Sequence, residues 1–218
     1  YKVLNLLAGF ITQFILTPII LNGLGRQLYG VYTIISKTEG YLSFIDLRPS
    51  AILRYKLAVL QGKQDQKEKK QYVGASLSLS LFTLPIILIA GLVLAHFFPL
   101  IFNIEEQYIK ISQISVVIIS AFLAVKSFLG IPEAILRGNN LEYKGFYIEP
   151  LRYLIYGILV VIFLSWNLSL IGIIVAIVLS FILGFFLRVI LQNKYCPGFS
   201  PIKPERGHIK EFLSNGTW

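Results

Sequence analysis

Three ionisable side chains lie within a stretch that is long and apolar enough to cross a bilayer. Residues 28–47 read LYGVYTIISKTEGYLSFIDL and contain Lys37, Glu39 and Asp46. A charge near the middle of a membrane costs about 2.5–3.5 kcal/mol even on a permissive insertion scale, so such groups usually face water or a partner. These residue types therefore predict a helix that lines a pathway for a polar or charged solute.

The spacing of the polar residues supports that prediction. On a helix they recur every three or four positions and form one stripe, which comprises Tyr32, Ser36, Glu39, Ser43 and Asp46. Lys37 lies beside this stripe, roughly 14 Å from the start of the segment and near the midplane of a core about 30 Å thick. An alternative interpretation is structural: Lys37 and Glu39 pair with polar groups on neighbouring helices or extend to an interface.

The composition of the whole chain is that of a membrane protein. Of 218 residues, 56% are hydrophobic and 14% are charged, whereas soluble domains average about 25% charged residues. Mean hydropathy is +0.71, and no enzyme class follows from the composition. One cysteine, Cys196, excludes an internal disulfide or a CxxC site, and His96 and His208 lack metal-ligand spacing, so we expect no metal site.

Hydropathy and breaker residues predict six membrane-spanning helices and one amphipathic surface helix. The spans are about 3–21, 28–47, 72–98, 108–131, 146–166 and 168–190, with the surface helix at 49–61. Pro18 is expected to kink or end the first helix, and the NGLGRQ segment that follows is expected to be a tight reversal. Residues 191–218 are predicted to be a cytoplasmic loop and the truncated start of a seventh helix, so we expect the chain to be a fragment.

The basic residues fall on one side of this topology. The predicted loops 48–71, 132–145 and 191–207 with their flanks hold fourteen Lys and Arg, against two on the opposite face. Basic loops remain in the cytoplasm, so the amino end is predicted to be cytoplasmic and Glu105 and Glu106 external. This arrangement also explains the net charge of +9 without nucleic acid.

Several segments together resemble one transporter family. They are LGRQLYGVY after the first helix, FIDL followed by RPSAILRYKLA, and ILRGNNLEY before the fifth helix. Their order across essentially the whole chain resembles prokaryotic polysaccharide flippases, the Wzx-like O-antigen and exopolysaccharide exporters of the MOP (MATE-like) superfamily. Similar proteins carry a glycine after the Asp-Leu pair, where this chain has Arg48 followed by Pro49.

The resemblance implies an all-α integral membrane fold, the amino-terminal six-helix lobe of a MATE-like two-lobe transporter. It implies that an undecaprenyl-pyrophosphate-linked oligosaccharide moves between leaflets of the bacterial cytoplasmic (inner) membrane by alternating access, for lipopolysaccharide or other surface polysaccharide synthesis. The implied partners are membrane lipids, the missing second lobe and a polysaccharide polymerase. No nucleic acid, no enzymatic activity and no cofactor beyond a coupling proton or sodium ion are expected.

The resemblance also suggests roles for individual residues. The expected contacts to the pyrophosphate and sugars come from Lys37, Lys126, Arg152, Arg54 and Tyr32. Tyr29 and Tyr41 are further candidates for stacking on sugar rings. Glu39 or Asp46 is expected to bind the coupling ion, although Asp46 is equally suited to pair with Arg48 or to cap a helix.

Two other functions stay open from the sequence alone. A cation-coupled multidrug exporter of the MATE type would favour an acidic cavity, and the balanced Lys37 and Glu39 do not exclude it. A membrane-embedded glycosyl- or acyltransferase would need an acidic pair or a His-Asp arrangement at a membrane face. The predicted outer loops are too short for such a site, and His96 has no adjacent acid.

Overall fold

Seven α-helices and two short 3-10 turns account for most of the residues that the structure describes. The computed structural model describes residues 2–42, 46–62, 65–204, 207 and 212, and no strand occurs among them. The helices are α1 (Lys2–Leu42), α2 (Pro49–Val59), α3 (Gln66–Ile101), α4 (Ile109–Leu129), α5 (Ile131–Gly138), α6 (Ile148–Ser165) and α7 (Ser169–Tyr195). The 3-10 turns are Glu106–Tyr108 and Glu142–Gly145. The all-α prediction is confirmed.

The first helix is too long to cross a bilayer once. It has 41 residues, which would extend about 62 Å if straight, twice a hydrocarbon core of about 30 Å. Gly25 interrupts it with φ 75 and ψ 166, a backbone conformation essentially restricted to glycine. We refer to residues 2–24 as the first arm of α1 and to residues 26–42 as the second arm.

Contacts with α6 show that α1 reverses direction at Gly25. A Cβ on Gly157 would lie 3.8 Å from Leu16 of the first arm, and the hydroxyls of Tyr32 and Tyr156 are 3.4 Å apart. In a straight helix, residues 16 and 32 would be about 24 Å apart, so they could not both reach adjacent positions of α6. The two arms therefore run antiparallel, each alongside α6.

The predicted reversal exists, but it is shorter than the sequence suggested. Within α1 only Gly25 has non-helical dihedral angles, so most of the predicted loop NGLGRQ is helical. The first arm also continues through Pro18, which was expected to kink or end it. Five segments in the described part of the chain are long and apolar enough to span a membrane, and the reversal divides the first of them into two, which is consistent with six passes.

The second predicted helix ends earlier than expected. Helix α1 stops at Leu42, residues 43–45 lie outside the described part, and Asp46 to Arg48 are not helical. Asp46 therefore does not continue the helical stripe. Its Oδ1 accepts a hydrogen bond from the Arg48 backbone N–H at 3.2 Å. Arg48 has φ 49 and ψ 49, a left-handed conformation that glycine adopts more readily than arginine.

Three other boundaries also differ from the predictions. Helix α3 begins at Gln66, so the last part of the predicted charged loop is helical, and Lys69 and Gln71 are buried there. The predicted connection 132–145 contains α5. Helix α7 continues to Tyr195 instead of ending near residue 190.

The chain divides into two compact units. Unit 1 comprises Tyr1–Ser43, Ile87–Leu123 and Phe146–Gly184, and unit 2 comprises Phe44–Ile86, Ala124–Gly145 and Phe185–Trp218. In unit 2, α2 packs against α5: a Cβ on Gly138 would lie 2.6 Å from Leu57 Cβ, so only glycine fits. Ile52, Leu53 and Leu57 are buried. The apolar side of α2, expected to rest on lipid, thus packs largely on protein.

Candidate functional site

A polar cavity of about 300 Å³ lies within unit 1. Both arms of α1, helix α6 and the middle of α7 provide its lining. Most of its polar groups are hydroxyls, which belong to Thr12, Thr17, Tyr29, Tyr32, Ser36, Tyr153, Tyr156 and Ser180. Hydroxyl groups gathered around one space can hydrogen-bond a polar solute, so this cavity is the candidate site.

The first arm contributes a small and polar face to the cavity. Gly9, Thr12 and Gln13 line it at helical spacing. A Cβ on Gly9 would be 3.3 Å from the ring of Tyr153, so the first arm and α6 are in close contact here. Thr17 donates to the Gln13 carbonyl oxygen at 2.7 Å, which satisfies its hydroxyl within the helix.

The second arm places two residues of the predicted polar stripe, Tyr32 and Ser36, on the cavity, together with Tyr29. The rings of Tyr29 and Tyr32 have centroids 6.1 Å apart. Ser36 donates to the Tyr32 carbonyl oxygen at 2.9 Å. Across the cavity, the Tyr32 hydroxyl lies 3.4 Å from that of Tyr156. Two aromatic faces and several hydroxyls are therefore available to a ligand.

Helix α6 brings a cation to the same space. Arg152 lines the cavity, and its side chain is only 11% exposed. Its Nη2 and Nε lie 2.8 Å and 3.1 Å from Oε2 of Glu149. Its guanidinium also stacks on Phe181 of α7, 4.1 Å from the ring centroid. This packing holds a planar donor group in one orientation, which is the arrangement that favours binding of phosphate or carboxylate.

The arrangement suits the binding of an anionic group. Among the described lining residues Arg152 is the charged one, and none is a cysteine or histidine. Across the described ranges, no group of three His, Cys, Asp or Glu residues is placed to hold a metal ion. An anionic group bound at Arg152, with polar or ring-shaped parts held by the tyrosines and hydroxyls, is the ligand that these side chains fit.

The structure brings together only part of the predicted set of site residues. Tyr32 and Arg152 both line the polar cavity. Lys37 is exposed on the second arm and is not among the lining residues. The side chain of Glu39 lies outside the described part. The remaining predicted site residues belong to unit 2 and are Asp46, Arg54 and Lys126.

Sequence reasoning missed two important tyrosines. Tyr153 and Tyr156 follow Arg152 on α6, and both line the cavity. Glu149, Arg152 and Tyr156 are three and four positions apart, so they share one helix face. This spacing was available in the sequence, but only Arg152 was named as a candidate on this helix.

Comparison with known proteins finds solved structures with a similar fold. No protein-family model matches the chain, and no curated protein matches its sequence. The fold is similar to a crystal structure of a MATE protein in complex with MaD3S, with TM-score 0.67, 16% identity, and coverage of 98% of this chain and 50% of the other. It is also similar to an outward-facing multidrug resistance MATE family transporter of the MOP superfamily, with TM-score 0.64, 16% identity, and coverage of 98% and 49%.

The chain therefore has the fold of one half of a MATE-type transporter and spans about half the length of these solved structures. The predicted fold class, a six-helix lobe of a MATE-like transporter, is confirmed. The chain is a multi-pass membrane protein.

Proposed function

We propose that the protein provides one lobe of an exporter that moves a polyprenyl-pyrophosphate-linked oligosaccharide across the cytoplasmic membrane by alternating access. The fold supports export, because it is shared with half of a MATE transporter. The resemblance of its sequence segments to polysaccharide flippases supports the substrate. The chemistry of the polar cavity provides an independent argument for an anionic headgroup.

The charge of the cavity is the observation that carries the proposal. Arg152 is the charged side chain among the described lining residues, and no described lining residue is a carboxylate. Glu149 engages Nε and Nη2 of Arg152, while Nη1 donates no hydrogen bond to another described residue. The N–H groups of Nη1 can therefore donate to phosphate oxygens. A pyrophosphate therefore fits this cavity better than a cationic drug does.

The tyrosines supply the second half of the recognition. Tyr29, Tyr32 and Tyr156 offer ring faces for the apolar side of a sugar and hydroxyls for its polar rim. The cavity volume of about 300 Å³ is at the low end of the roughly 300–1,000 Å³ typical of small-molecule sites. It accommodates a pyrophosphate with the first sugar, so the remaining glycan would extend beyond unit 1.

The other predicted site residues keep their proposed roles outside the cavity. Lys37, exposed on the second arm, adds a cation for the headgroup along its route. Arg54 and Lys126 bind the headgroup first, at the cytoplasmic side. Glu39 or Asp46 binds the proton or sodium ion that biases the inward and outward states.

A multidrug exporter is the second candidate, since one of the solved structures with this fold is a multidrug resistance transporter. A lipophilic cation would be expected to bind an acidic or aromatic cavity. The aromatic rings here are compatible with that ligand, whereas the position of Arg152 opposes it. Drug sensitivity of a deletion strain distinguishes the two functions: loss of surface glycan without hypersensitivity to cationic dyes supports the flippase.

The proposal is tested by removing the charge of Arg152 in the native copy of the gene, so that the cells contain no unmodified protein. Arg152→Gln is expected to abolish surface polysaccharide, measured by glycan staining, while Arg152→Lys keeps partial export. Lys110→Gln is the matched control, because Lys110 is an exposed cation of unit 1 away from the cavity. Normal polysaccharide in Arg152→Gln cells would overturn the proposal.

Loss of folding must be separated from loss of binding, because Arg152→Gln leaves Glu149 without its partner. The double variant Glu149→Gln with Arg152→Gln removes both charges and leaves none stranded in the membrane. It is expected to insert at the normal level, measured by membrane fractionation, and still to export no polysaccharide. Export restored by the double variant would mean that Arg152 only neutralises Glu149, which would also overturn the proposal.

A further inference from the structure

A second, apolar space adjoins the polar cavity in unit 1. It is an open groove of about 640 Å³ between the first arm and α6. Its walls are almost entirely aliphatic and include Ile11, Ile15 and Ile19 opposite Leu154, Ile158 and Val161. Most of these side chains are more than one third exposed; Ile158, for example, is 51% exposed. We call this space the apolar groove.

The apolar groove and the polar cavity share one wall. Thr12, Leu16 and Tyr153 line both spaces. At this wall the ring of Tyr153 closes on Gly9, where an added Cβ would be only 3.3 Å from the ring. The first arm thus presents mostly aliphatic side chains to the apolar groove and Thr12, Gln13 and Thr17 to the polar cavity, with Thr12, Leu16 and Tyr153 at the shared wall.

Because the apolar groove adjoins the polar cavity, an amphiphilic molecule is the ligand that fits both spaces. A ligand that places an anionic group at Arg152 and an aliphatic chain along Ile158 satisfies both spaces across the Tyr153 wall. The groove extends along α6 from Pro150 to Ile162, about 18 Å, which is close to one leaflet of a core about 30 Å thick. The geometry points to the apolar groove as the binding site for the hydrocarbon chain of the same phosphate-bearing lipid whose head enters the polar cavity.

This inference rests on the proposed function, since it assigns the lipid part of that substrate. It places Tyr153, with Thr12 and Leu16, between the hydrocarbon chain and the head of that lipid. Bulk phospholipid would also cover an exposed apolar surface. The apolar groove, however, is concave and adjoins the cavity that holds Arg152, so it should bind lipids according to their headgroup. A convex lipid-facing surface should not make that distinction.

The test is photolabelling of the native-length protein in phosphatidylcholine vesicles. The probe is a polyprenyl phosphate with a diazirine in its hydrocarbon chain, and adducts are mapped by mass spectrometry. We expect adducts on the α6 peptide, which an excess of unlabelled polyprenyl phosphate removes and an equal excess of phosphatidylglycerol does not. Adducts spread over all exposed apolar surfaces, or removed equally by phosphatidylglycerol, would overturn the inference.

A groove-filling variant supplies the second measurement. Ile158→Trp is expected to lose the α6 adducts, whereas Ile114→Trp keeps them, because Ile114 is similarly exposed at 48% but lies on α4 outside the groove. Undiminished labelling of Ile158→Trp would refute the inference. If export is lost in Arg152→Gln cells and the groove is unlabelled, only the inference fails. If the groove is labelled with headgroup selectivity and Arg152→Gln cells export normally, only the proposed function fails.

Discussion

Hydroxyl groups on the membrane-spanning helices have two kinds of partner in this protein, a backbone carbonyl of the same helix or a side chain of another helix. Thr33 and Thr38 each donate to a carbonyl oxygen one turn earlier, at 2.9 Å and 3.0 Å, which satisfies them within the helix. Tyr32 and Tyr156 instead meet each other across the polar cavity. The polarity of a span therefore does not by itself indicate a water-filled side; the neighbours of each residue decide it.

Ser36 provides a direct test of the polar cavity. A Ser36→Cys variant is expected to react with a water-soluble maleimide, because Ser36 is exposed and lines the cavity. Thr38→Cys is the matched control on the same arm, since Thr38 is only 1% exposed and should stay unlabelled. Mass spectrometry of the labelled protein reports both results, and equal protection of the two positions would contradict a hydrated cavity.

The native cysteine should not disturb that measurement. Cys196 follows α7, is buried, and burial raises the pKa of its thiol. The thiolate is the reactive form, so a raised pKa lowers reactivity at neutral pH. Background labelling of the unmodified protein should accordingly be slow at neutral pH and increase only as the solution becomes alkaline.

Glu133 is the centre of an ion-pair cluster in unit 2. Its carboxylate lies 2.8 Å from Arg137 and 3.1 Å from Arg188, and Arg137 also lies 3.0 Å from Glu142. Glu133→Gln is expected to lower the free energy of unfolding by about 1–3 kcal/mol, because two guanidinium groups lose a charged acceptor. Thermal unfolding in detergent measures the change. The control Glu106→Gln, at an exposed position, should change it by less than about 0.5 kcal/mol.

At the scale of the element, the α1 reversal depends on one residue. Gly25 has φ 75 and ψ 166, which other residues adopt only at a cost of about 1–3 kcal/mol. Gly25→Ala is therefore expected to destabilise the protein by about that amount, measured by the midpoint of thermal unfolding. Gly30→Ala is the matched control on the second arm, since Gly30 has no atom within 4 Å of an added Cβ and no positive φ. Unchanged stability of Gly25→Ala would mean that the reversal does not require this conformation.

The ILRGNNLEY segment, which contributed to the family resemblance, contains the end of helix α5 and the turn that follows it. Arg137 pairs with Glu142, and Leu141 N–H donates to the Leu136 carbonyl oxygen at 2.8 Å, which closes the end of the helix. Asn140 has φ 56 and its side chain donates to Gln61 at 2.7 Å. The segment is thus a helix end that fastens the turn after α2. Its residues were informative about fold and not about a binding site.

At the scale of the whole molecule, the charge of each loop is expected to decide on which side of the membrane that loop lies. A reporter inserted at Gly62, in the exposed turn after α2, should report cytoplasm, and one at Asn103, after α3, should report the outside. The expectation rests on fourteen Lys and Arg on one predicted face against two on the other. Paired alkaline phosphatase and green fluorescent protein fusions measure it, and a signal of opposite sign at both positions would invert the topology.

The sequence by itself determined the membrane class and the number of passes, because apolar length acts locally along the chain, whereas the MATE-like fold was implied by the resemblance of several segments to a transporter family. It also named Tyr32 and Arg152 as candidates, and both line the polar cavity. Helix ends were less certain, as the early end of α1 and the unexpected α5 show, because packing and capping partners from distant segments decide them.

Only the tertiary structure decided which polar residues share a space. Tyr156 and Tyr153 join Tyr32 because the reversal at Gly25 places both arms against α6. Lys37, which the sequence singled out by charge and depth, lies beside the cavity and not on its lining. One step along a helix rotates a side chain by about 100°, so only the packing of neighbouring helices determines which direction leads into the cavity.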